Sequence, residues 1–259
     1  MLKNKLAMMI NNMPRFIKEL WHKNNGGSMQ QNIFQEKNSG LKYLKKSSGQ
    51  ADTAIILFHG YGASMHDLFD LSSIINTPTK CDWYFPNGHL DINLGMGMQG
   101  KAWFPVDMQA LELAMRTGQH RDFQNMYTQE FQLALEKTST FLNQLKKDYR
   151  KIIVGGFSQG AMLSSHISLE NSSFVDALIC FSGVLVGKKE MIKKLEASKK
   201  FPFYQCHGKQ DPVLSYSGAK ELFELFKLGG HDGEFVSFDG GHEIPPVAIN
   251  GVNNFLARI

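Results

Sequence analysis

Residues 151–167, KIIVGGFSQGAMLSSHI, form the stretch of sequence that decides the fold. The apolar run 151–155 predicts a strand, and the residues after Ser158 have the pattern of a helix. A serine between two glycines at such a junction is typical of a nucleophile elbow, a turn too tight for neighbouring side chains. The turn sets the hydroxyl at a helix N-terminus, where backbone N–H groups favour developing negative charge. A GxSxG string alone is weak evidence, because a glycine-rich β-turn with a capping serine would show the same string.

Short apolar runs alternate with helical patterns along the rest of the chain. Strands are predicted at residues 41–44, 53–58, 82–85, 151–155, 177–181, 203–206 and 234–238, and helices at 66–75, 124–148, 159–169, 188–198, 215–228 and 246–257. Strands that are apolar on both faces and separated by helices predict a single α/β domain with a mostly parallel central sheet and helices on both faces. Ligands of such sheets bind at the carboxyl ends of the strands.

Two residues downstream of the elbow complete a candidate catalytic triad. Asp211 follows the predicted strand 203–206, and His242 follows the predicted strand 234–238. Both would therefore leave the sheet at the same edge as Ser158, in the chain order of an α/β-hydrolase. A serine hydroxyl needs a base, and the base needs an orienting acid. The pattern predicts acyl transfer with Ser158 as nucleophile, His242 as base and Asp211 as acid.

Other acids and histidines fit these roles less well. His207 begins the loop that carries Asp211, and His166 lies along the predicted elbow helix, so both are expected to be structural. The oxyanion of a tetrahedral intermediate also needs backbone N–H donors. One is expected from Gln159, the residue after the nucleophile, and the second from Tyr61, in the His-Gly-Tyr-Gly loop after the strand 53–58.

Residues 87–123 lack a regular pattern and are predicted to be either a poorly ordered loop or a lid. Their Gly/Met-rich part suits a pocket wall for flexible chains, because methionine offers adaptable apolar surface. The candidate pocket residues are Met96, Met98, Trp103 and Phe104 from this segment and Leu214 from the acid loop.

The formal charge of +4 is carried by residues 1–28, which hold five basic residues and one glutamate. The rest of the chain sums to zero, so no nucleic-acid partner is expected. Residues 1–24 show a basic amphipathic helical pattern, and residues 24–28 resemble a linker. Such a helix could lie on an anionic membrane surface, pack on the domain or fray. The predicted division is an extension at 1–28 and a catalytic domain at 29–259.

Three cysteines far apart in sequence give neither a disulfide framework nor a zinc-binding pattern. A reducing compartment is the default for such a chain, so a cytoplasmic location is expected, with peripheral membrane association through residues 1–24 as an addition. No metal and no cofactor is implied. Because no run of 18 apolar residues occurs, no membrane span is expected.

The motifs FHGYGAS, GGFSQGAM, FSGVL, CHGKQDPVL and GGHEIPP resemble those of the acyl-protein thioesterase, carboxylesterase and lysophospholipase family of α/β-hydrolases. The resemblance runs from about residue 50 to the C-terminus. It implies a triad of Ser158, Asp211 and His242 and an oxyanion hole at Tyr61 and Gln159. Two segments depart from the family pattern, the N-terminal extension and residues 105–123, which are longer than in compact members.

The expected function is hydrolysis of carboxylic esters or acyl thioesters through an acyl-enzyme. The substrate would be a small molecule or an acyl ester on a lipid or protein. A lysophospholipase that docks on membranes through residues 1–24 is an alternative. A non-catalytic binding protein on the same fold is a further one, because fold does not dictate function. The oligomeric state is open, and a homodimer is among the alternatives.

Overall fold

A mixed sheet of eight strands lies at the centre of the computed structural model, which describes residues 32–95 and 98–259. The strands are β1 Ile33–Gln35, β2 Lys42–Lys46, β3 Thr53–Phe58, β4 Cys81–Pro86, β5 Leu90–Gly95, β6 Met98–Ala102, β7 Lys151–Phe157, β8 Ala177–Phe181, β9 Phe203–Gly208 and β10 Gly233–Phe238. The helices are α1 Leu71–Ile74, α2 Met108–Thr117, α3 Gln129–Leu145, α4 Gln159–Glu170, α5 Lys188–Ala197, α6 Tyr216–Leu228 and α7 Pro246–Leu256. The sheet order is β1-β2-β4-β3-β7-β8-β9-β10, and β5 pairs with β6 in a separate hairpin.

Strands β4, β3, β7, β8, β9 and β10 run parallel. At one edge β2 pairs antiparallel with β4, and β1 pairs antiparallel with β2. Strands β3, β4, β8 and β9 are buried along their whole length. A sheet needs such strands when helices cover both of its faces. The predicted α/β-hydrolase fold is confirmed.

Alternate residues of β3 face two different hydrophobic cores, because successive side chains of a strand point to opposite faces. Ala54, Ile56 and Phe58 pack in the cluster that contains the buried faces of α3 and α4. Ile55 and Leu57 pack in the cluster that contains the buried face of α7. The two cores hold β3 at the middle of the molecule, next to β7.

The chain leaves β3 to form β4 on one side and later returns to form β7 on the other. This reversal of strand order is the topological switch point of a parallel sheet, where the loops at the carboxyl ends separate and leave a crevice. The loop after β3 and the turn after β7 both lie at this point.

The segment 87–123 contains regular structure that its sequence pattern did not predict. It holds the β5–β6 hairpin and α2, rather than a structureless loop. Strand β1 is also additional, and the helix predicted at 66–75 is a run of turns followed by the four-residue α1. The predicted extension 1–28 lies outside the described residues, so its boundary stays a prediction. No helix in the described ranges is long and apolar enough to cross a membrane.

Three buried histidines are held neutral inside the fold. His59 accepts a hydrogen bond from the Gly88 amide at Nε2, His166 bonds the carbonyl of Val186, and His231 bonds Ser198. Burial disfavours the charged imidazolium and lowers the pKa of His59 to about 4, of His166 to about 3 and of His231 to about 4. An unfolded histidine has a pKa of about 6.5, so the unfolded chain binds protons at pH values where the folded chain does not.

We therefore expect the free energy of unfolding to fall as the pH drops from about 6.5 to about 4, because protons bind preferentially to the unfolded state in this window. One histidine shifted by two to three pH units contributes roughly 3 kcal/mol over that range. Urea unfolding followed by tryptophan fluorescence at pH 7.5, 5.5 and 4.5 measures the effect. His231→Gln should lower stability at pH 7.5 and reduce the slope below pH 6.5. Parallel slopes for the two proteins would contradict this account of His231.

Candidate active site

Ser158 occupies a strained turn between β7 and α4, with φ of 55° and ψ of −117°. Few residues with a side chain adopt this conformation. The residues two positions before and after it must be glycine, because a Cβ at Gly160 would overlap the carbonyl of Phe58 and a Cβ at Gly156 would lie 2.5 Å from the carbonyl carbon of Gly160. The Ser158 amide donates to the Phe181 carbonyl at 2.9 Å, which ties the turn to the end of β8. The Ser158 hydroxyl is thereby carried at the carboxyl edge of the sheet.

Asp211 lies in the loop after β9 and is buried. Its Oδ1 accepts the backbone amides of Val213 and Leu214 at 2.8 and 3.0 Å. Its Oδ2 lies 2.6 Å from His242 Nδ1 and 3.2 Å from His207 Nε2. Burial alone would raise the pKa of Asp211, but the hydrogen bonds from His207 and His242 outweigh it and hold the pKa well below its usual range. The carboxylate is thus a fixed negative charge.

His242 follows β10, and its loop is joined to the acid loop by backbone contacts. The amides of Lys209 and Gln210 donate to the carbonyls of Phe238 and Gly240 at 2.9 and 3.0 Å. A Cβ at Gly208 would overlap the carbonyl of Gly241, so the two loops touch without side chains between them. Asp211 and His242 are therefore held in register by main-chain bonds.

The His242 ring also packs against Phe157, the residue before Ser158, with ring centroids 4.8 Å apart. Because Nδ1 donates to the carboxylate of Asp211, the neutral ring leaves Nε2 as a proton acceptor. The structure brings the predicted acid and base into direct contact and places the base beside the elbow. This arrangement can activate a hydroxyl for attack on an acyl carbon.

The loop after β3 faces the elbow and carries Tyr61. A Cβ at Gly60 would lie 3.4 Å from the Cβ of Ser158, so the two backbones approach closely here. The Gly62 amide donates to the Lys101 carbonyl, and the Lys101 amide donates to the Ala63 carbonyl, both at 2.9 Å. Strand β6 is therefore hydrogen-bonded to this loop in the manner of a short strand pair and holds it in place.

Gln159 is buried, and its side-chain amide is used for structure. Its Oε1 accepts the Trp103 amide at 2.9 Å, and its Nε2 donates to the Phe104 carbonyl at 2.7 Å. The Trp103 indole N–H donates to the His59 carbonyl at 2.9 Å. The segment after β6 is thus bonded to the start of α4 and to the loop after β3 at once.

The candidate pocket residues fall into two groups. Trp103, Phe104 and Leu214 are buried in the core cluster that also contains Phe58, so their side chains pack inside the molecule. Met96 lies outside the described residues, and Met98 begins β6. The assignment of these residues to a substrate pocket stays a prediction.

Two histidines contact Asp211 that the sequence did not assign to the site. His120, from the segment before α3, places Nε2 2.8 Å from the Asp211 carbonyl oxygen. No sequence signal marked His120, since it lies far from the motifs in an irregular stretch. His207 shares Oδ2 with His242, and its spacing of four residues from Asp211 is a signal that could have indicated the contact.

The backbone of Ser158 predicts an unusual order of stability between two variants. Ser158→Gly should be more stable than Ser158→Ala by about 1 kcal/mol, because glycine escapes a strain of about 1–3 kcal/mol and loses at most about 1 kcal/mol of chain entropy. Urea unfolding of both variants measures the difference. Ser217, an exposed residue inside α6, supplies the matched pair of control variants. Ser217 lies in the first turn of this helix, and alanine should be the more stable residue there, because glycine loses more chain entropy in a helix. The same order at both positions would contradict strain at the elbow.

Known proteins similar to this chain are thioesterases and esterases. Acyl-protein thioesterase 1 of Candida albicans is 27% identical over 231 residues, which cover 83% of this chain and 96% of the relative. Acyl-protein thioesterase 1 of Emericella nidulans is 28% identical over 190 residues, which cover 68% of this chain and 75% of the relative. The crystal structure of esterase PE8 matches with a TM-score of 0.67 and 27% identity, covering 84% of this chain and 97% of that one.

Acyl-protein thioesterase 2 of Zea mays shares the fold, with a TM-score of 0.65 at 20% identity over 83% of this chain and 97% of that one. The sequence profile of the phospholipase/carboxylesterase family matches residues 41–259, which include the elbow, the acid loop and the histidine loop. The chain therefore belongs to the phospholipase/carboxylesterase family of α/β-hydrolases and is a hydrolase of esters or thioesters.

Proposed function

We propose that this protein is an acyl-protein thioesterase that works through an acyl-enzyme on Ser158. The observation that carries the proposal is the 2.6 Å hydrogen bond between Asp211 and His242 beside the strained elbow. The names of the relatives from Candida albicans and Emericella nidulans favour thioesters of acylated proteins as substrates. They do not favour the lysophospholipase alternative.

In the proposed cycle His242 Nε2 takes the proton of Ser158 while Oγ bonds to the acyl carbon. Asp211 holds the imidazole in the tautomer that leaves Nε2 free and stabilises the imidazolium once it forms. The C–S or C–O bond then breaks, and the leaving thiol or alcohol receives the proton from His242. A water molecule repeats the sequence on the acyl-enzyme, so that the fatty acid leaves and Ser158 regains its proton.

Tyr61 and Gln159 are the proposed oxyanion donors through their backbone amides. Each such donor stabilises the transition state by about 3–4 kcal/mol, provided that it lies within about 3 Å of the developing charge. Both proposed donors lie next to hydrogen bonds to residues 101–104. Beside Tyr61, the Gly62 amide donates to the Lys101 carbonyl. The Gln159 side chain bonds the backbone of Trp103 and Phe104. The end of β6 therefore supports the spacing between the two donors.

Membrane contact through residues 1–24 would bring such an enzyme to lipid-bound acyl proteins, and a cytoplasmic location would suit it. Both stay predictions of the sequence, because residues 1–31 lie outside the described chain.

Ser158→Ala should abolish hydrolysis of p-nitrophenyl esters and of an S-palmitoylated peptide, because no other nucleophile is assigned to the acyl carbon. Ser217→Ala is the matched control and should keep full activity. Acid quenching during turnover, followed by peptide mass mapping, should find the acyl group on Ser158. Turnover that survives in Ser158→Ala, or an acyl group on another residue, would overturn the mechanism. Faster cleavage of lysophosphatidylcholine than of the thioester peptide would overturn the proposed substrate class.

Gly100→Ala should lower kcat at least tenfold with little change in KM. A Cβ at Gly100 would overlap the Gly62 carbonyl and push the Tyr61 loop away from the oxyanion, while losing one donor entirely costs about 10²–10³ in kcat. Gln99→Ala on the same strand is the control, since the Gln99 side chain is exposed and its removal leaves the backbone unchanged. Steady-state kinetics on a soluble short-chain ester measures both variants. Equal kcat for the two would contradict the role of β6.

A further inference from the structure

His207 is a buried histidine that the proposed mechanism does not use. It lies near the end of β9 and is fully buried. Its Nε2 faces two acceptors, Asp211 Oδ2 at 3.2 Å and the Leu214 carbonyl oxygen at 3.1 Å. Nε2 must therefore carry the proton. Its Nδ1 is buried and has no hydrogen-bond partner among the described residues.

A buried nitrogen without a partner destabilises the fold, so a histidine is an unfavourable residue at this position if its only task is to fill space. The compensation lies at Nε2, which contacts the same carboxylate oxygen as the proposed catalytic base. His207 is also one of the two donors that hold the pKa of Asp211 below its usual range against the effect of burial. His207 therefore helps to keep the Asp211 carboxyl in its charged form.

We propose that His207 is a positioning residue, which fixes Asp211 Oδ2 and withdraws part of its charge from His242. This proposal rests on the proposed function. Two donors on one oxygen weaken each other, since each reduces the negative charge available to the other. Asp211 still orients His242 when His207 is in place. A carboxylate that is shared by two donors stabilises the protonated form of His242 less than a carboxylate bonded to His242 alone would.

The other charged groups around the pair are engaged elsewhere. His120 contacts the backbone carbonyl of Asp211, not its carboxylate. The Glu243 carboxylate accepts the Gly241 amide at 3.2 Å, and Asp239 pairs with Lys209 at 3.0 Å. On the elbow side the ring of Phe157 faces His242, and Tyr216 is the aromatic neighbour of His207. A change at His207 therefore acts on His242 chiefly through Asp211.

Three variants separate this role from simple packing. His207→Leu removes the donor and keeps a buried apolar side chain. His207→Gln keeps an N–H donor at the same number of bonds from Cβ as Nε2. His231→Gln is the matched control, because His231 is also buried but bonds Ser198 and Phe201 away from the triad. If His207→Leu does not fold by circular dichroism, His207→Asn replaces it, since its amide is too short to reach Oδ2.

The first measurement is kcat/KM for a soluble short-chain ester between pH 5 and 9. In His207→Leu the acid limb should move to higher pH by about half to one unit, which is less than the one to two units of a direct hydrogen bond to a charged group because the effect reaches His242 only through Asp211. His207→Gln should restore most of the shift, and His231→Gln should leave the limb in place. An acid limb that coincides with the wild-type limb in His207→Leu, or a glutamine variant that behaves like the leucine variant, would overturn the proposal.

The second measurement needs no activity and so separates this proposal from the proposed function. The low-field proton NMR signal of His242 Nδ1–H is identified by its loss in His242→Gln. It should move further downfield in His207→Leu, because the bond to Asp211 strengthens when it is no longer shared. An unmoved signal overturns the role of His207 whatever the enzyme hydrolyses. If instead Ser158→Ala retains wild-type hydrolysis while the signal moves, the proposed function fails and the coupling of the two histidines stands.

Discussion

The close backbone contact between the start of α4 and the end of β3 is the constraint on which the site depends. There is no room for a side chain at Gly160, because the Phe58 carbonyl occupies the space of a Cβ. This contact lets α4 begin directly against the sheet, with its N-terminus beside the loop after β3. The strained φ of Ser158 follows from the same geometry, since the chain must turn from strand to helix within one residue. Strain of about 1–3 kcal/mol is offset by the burial of nearly all of α4.

A second constraint is electrostatic. Asp211 is buried, and an unpaired buried carboxylate would cost several kcal/mol. Hydrogen bonds offset this destabilisation: two backbone amides donate to Oδ1, and two imidazoles contact Oδ2. The amides come from the acid loop itself, so the loop must fold correctly before the carboxylate is stabilised. The acid is therefore oriented by its own loop on one side and by histidines on the other.

The sequence predicted the sheet, and it indicated the three candidate triad residues for one physical reason. Each candidate follows a strand of the parallel part of the sheet, and parallel strands bring their carboxyl ends to one edge. The hairpin of β5 and β6 escaped prediction because its strands are interrupted by glycines and carry mixed, partly exposed side chains. The four-residue spacing of His207 and Asp211 allows their contact, but the turn that brings them together is held by bonds to β10 and to the loop after it, and such long-range bonds leave no local pattern. His120 reaches the Asp211 carbonyl from more than 90 residues away in the chain, for the same reason.

The hairpin also shows how this chain can carry a longer segment at 105–123 without disturbing the proposed chemistry. Leu94 and Ile92 on β5 cover Gly62, and β6 bonds the same loop through Lys101. The bonds between Gln159 and the backbone of Trp103 and Phe104 come next along the chain. The unusual segment begins immediately after this anchor, and α2 within it has no buried residue. The loop that carries Tyr61 is held by bonds to residues that come before position 105, so the residues after this anchor are free to differ in length. The support of the loop that carries Tyr61 and the exposed helix α2 thus lie in two consecutive pieces of one segment.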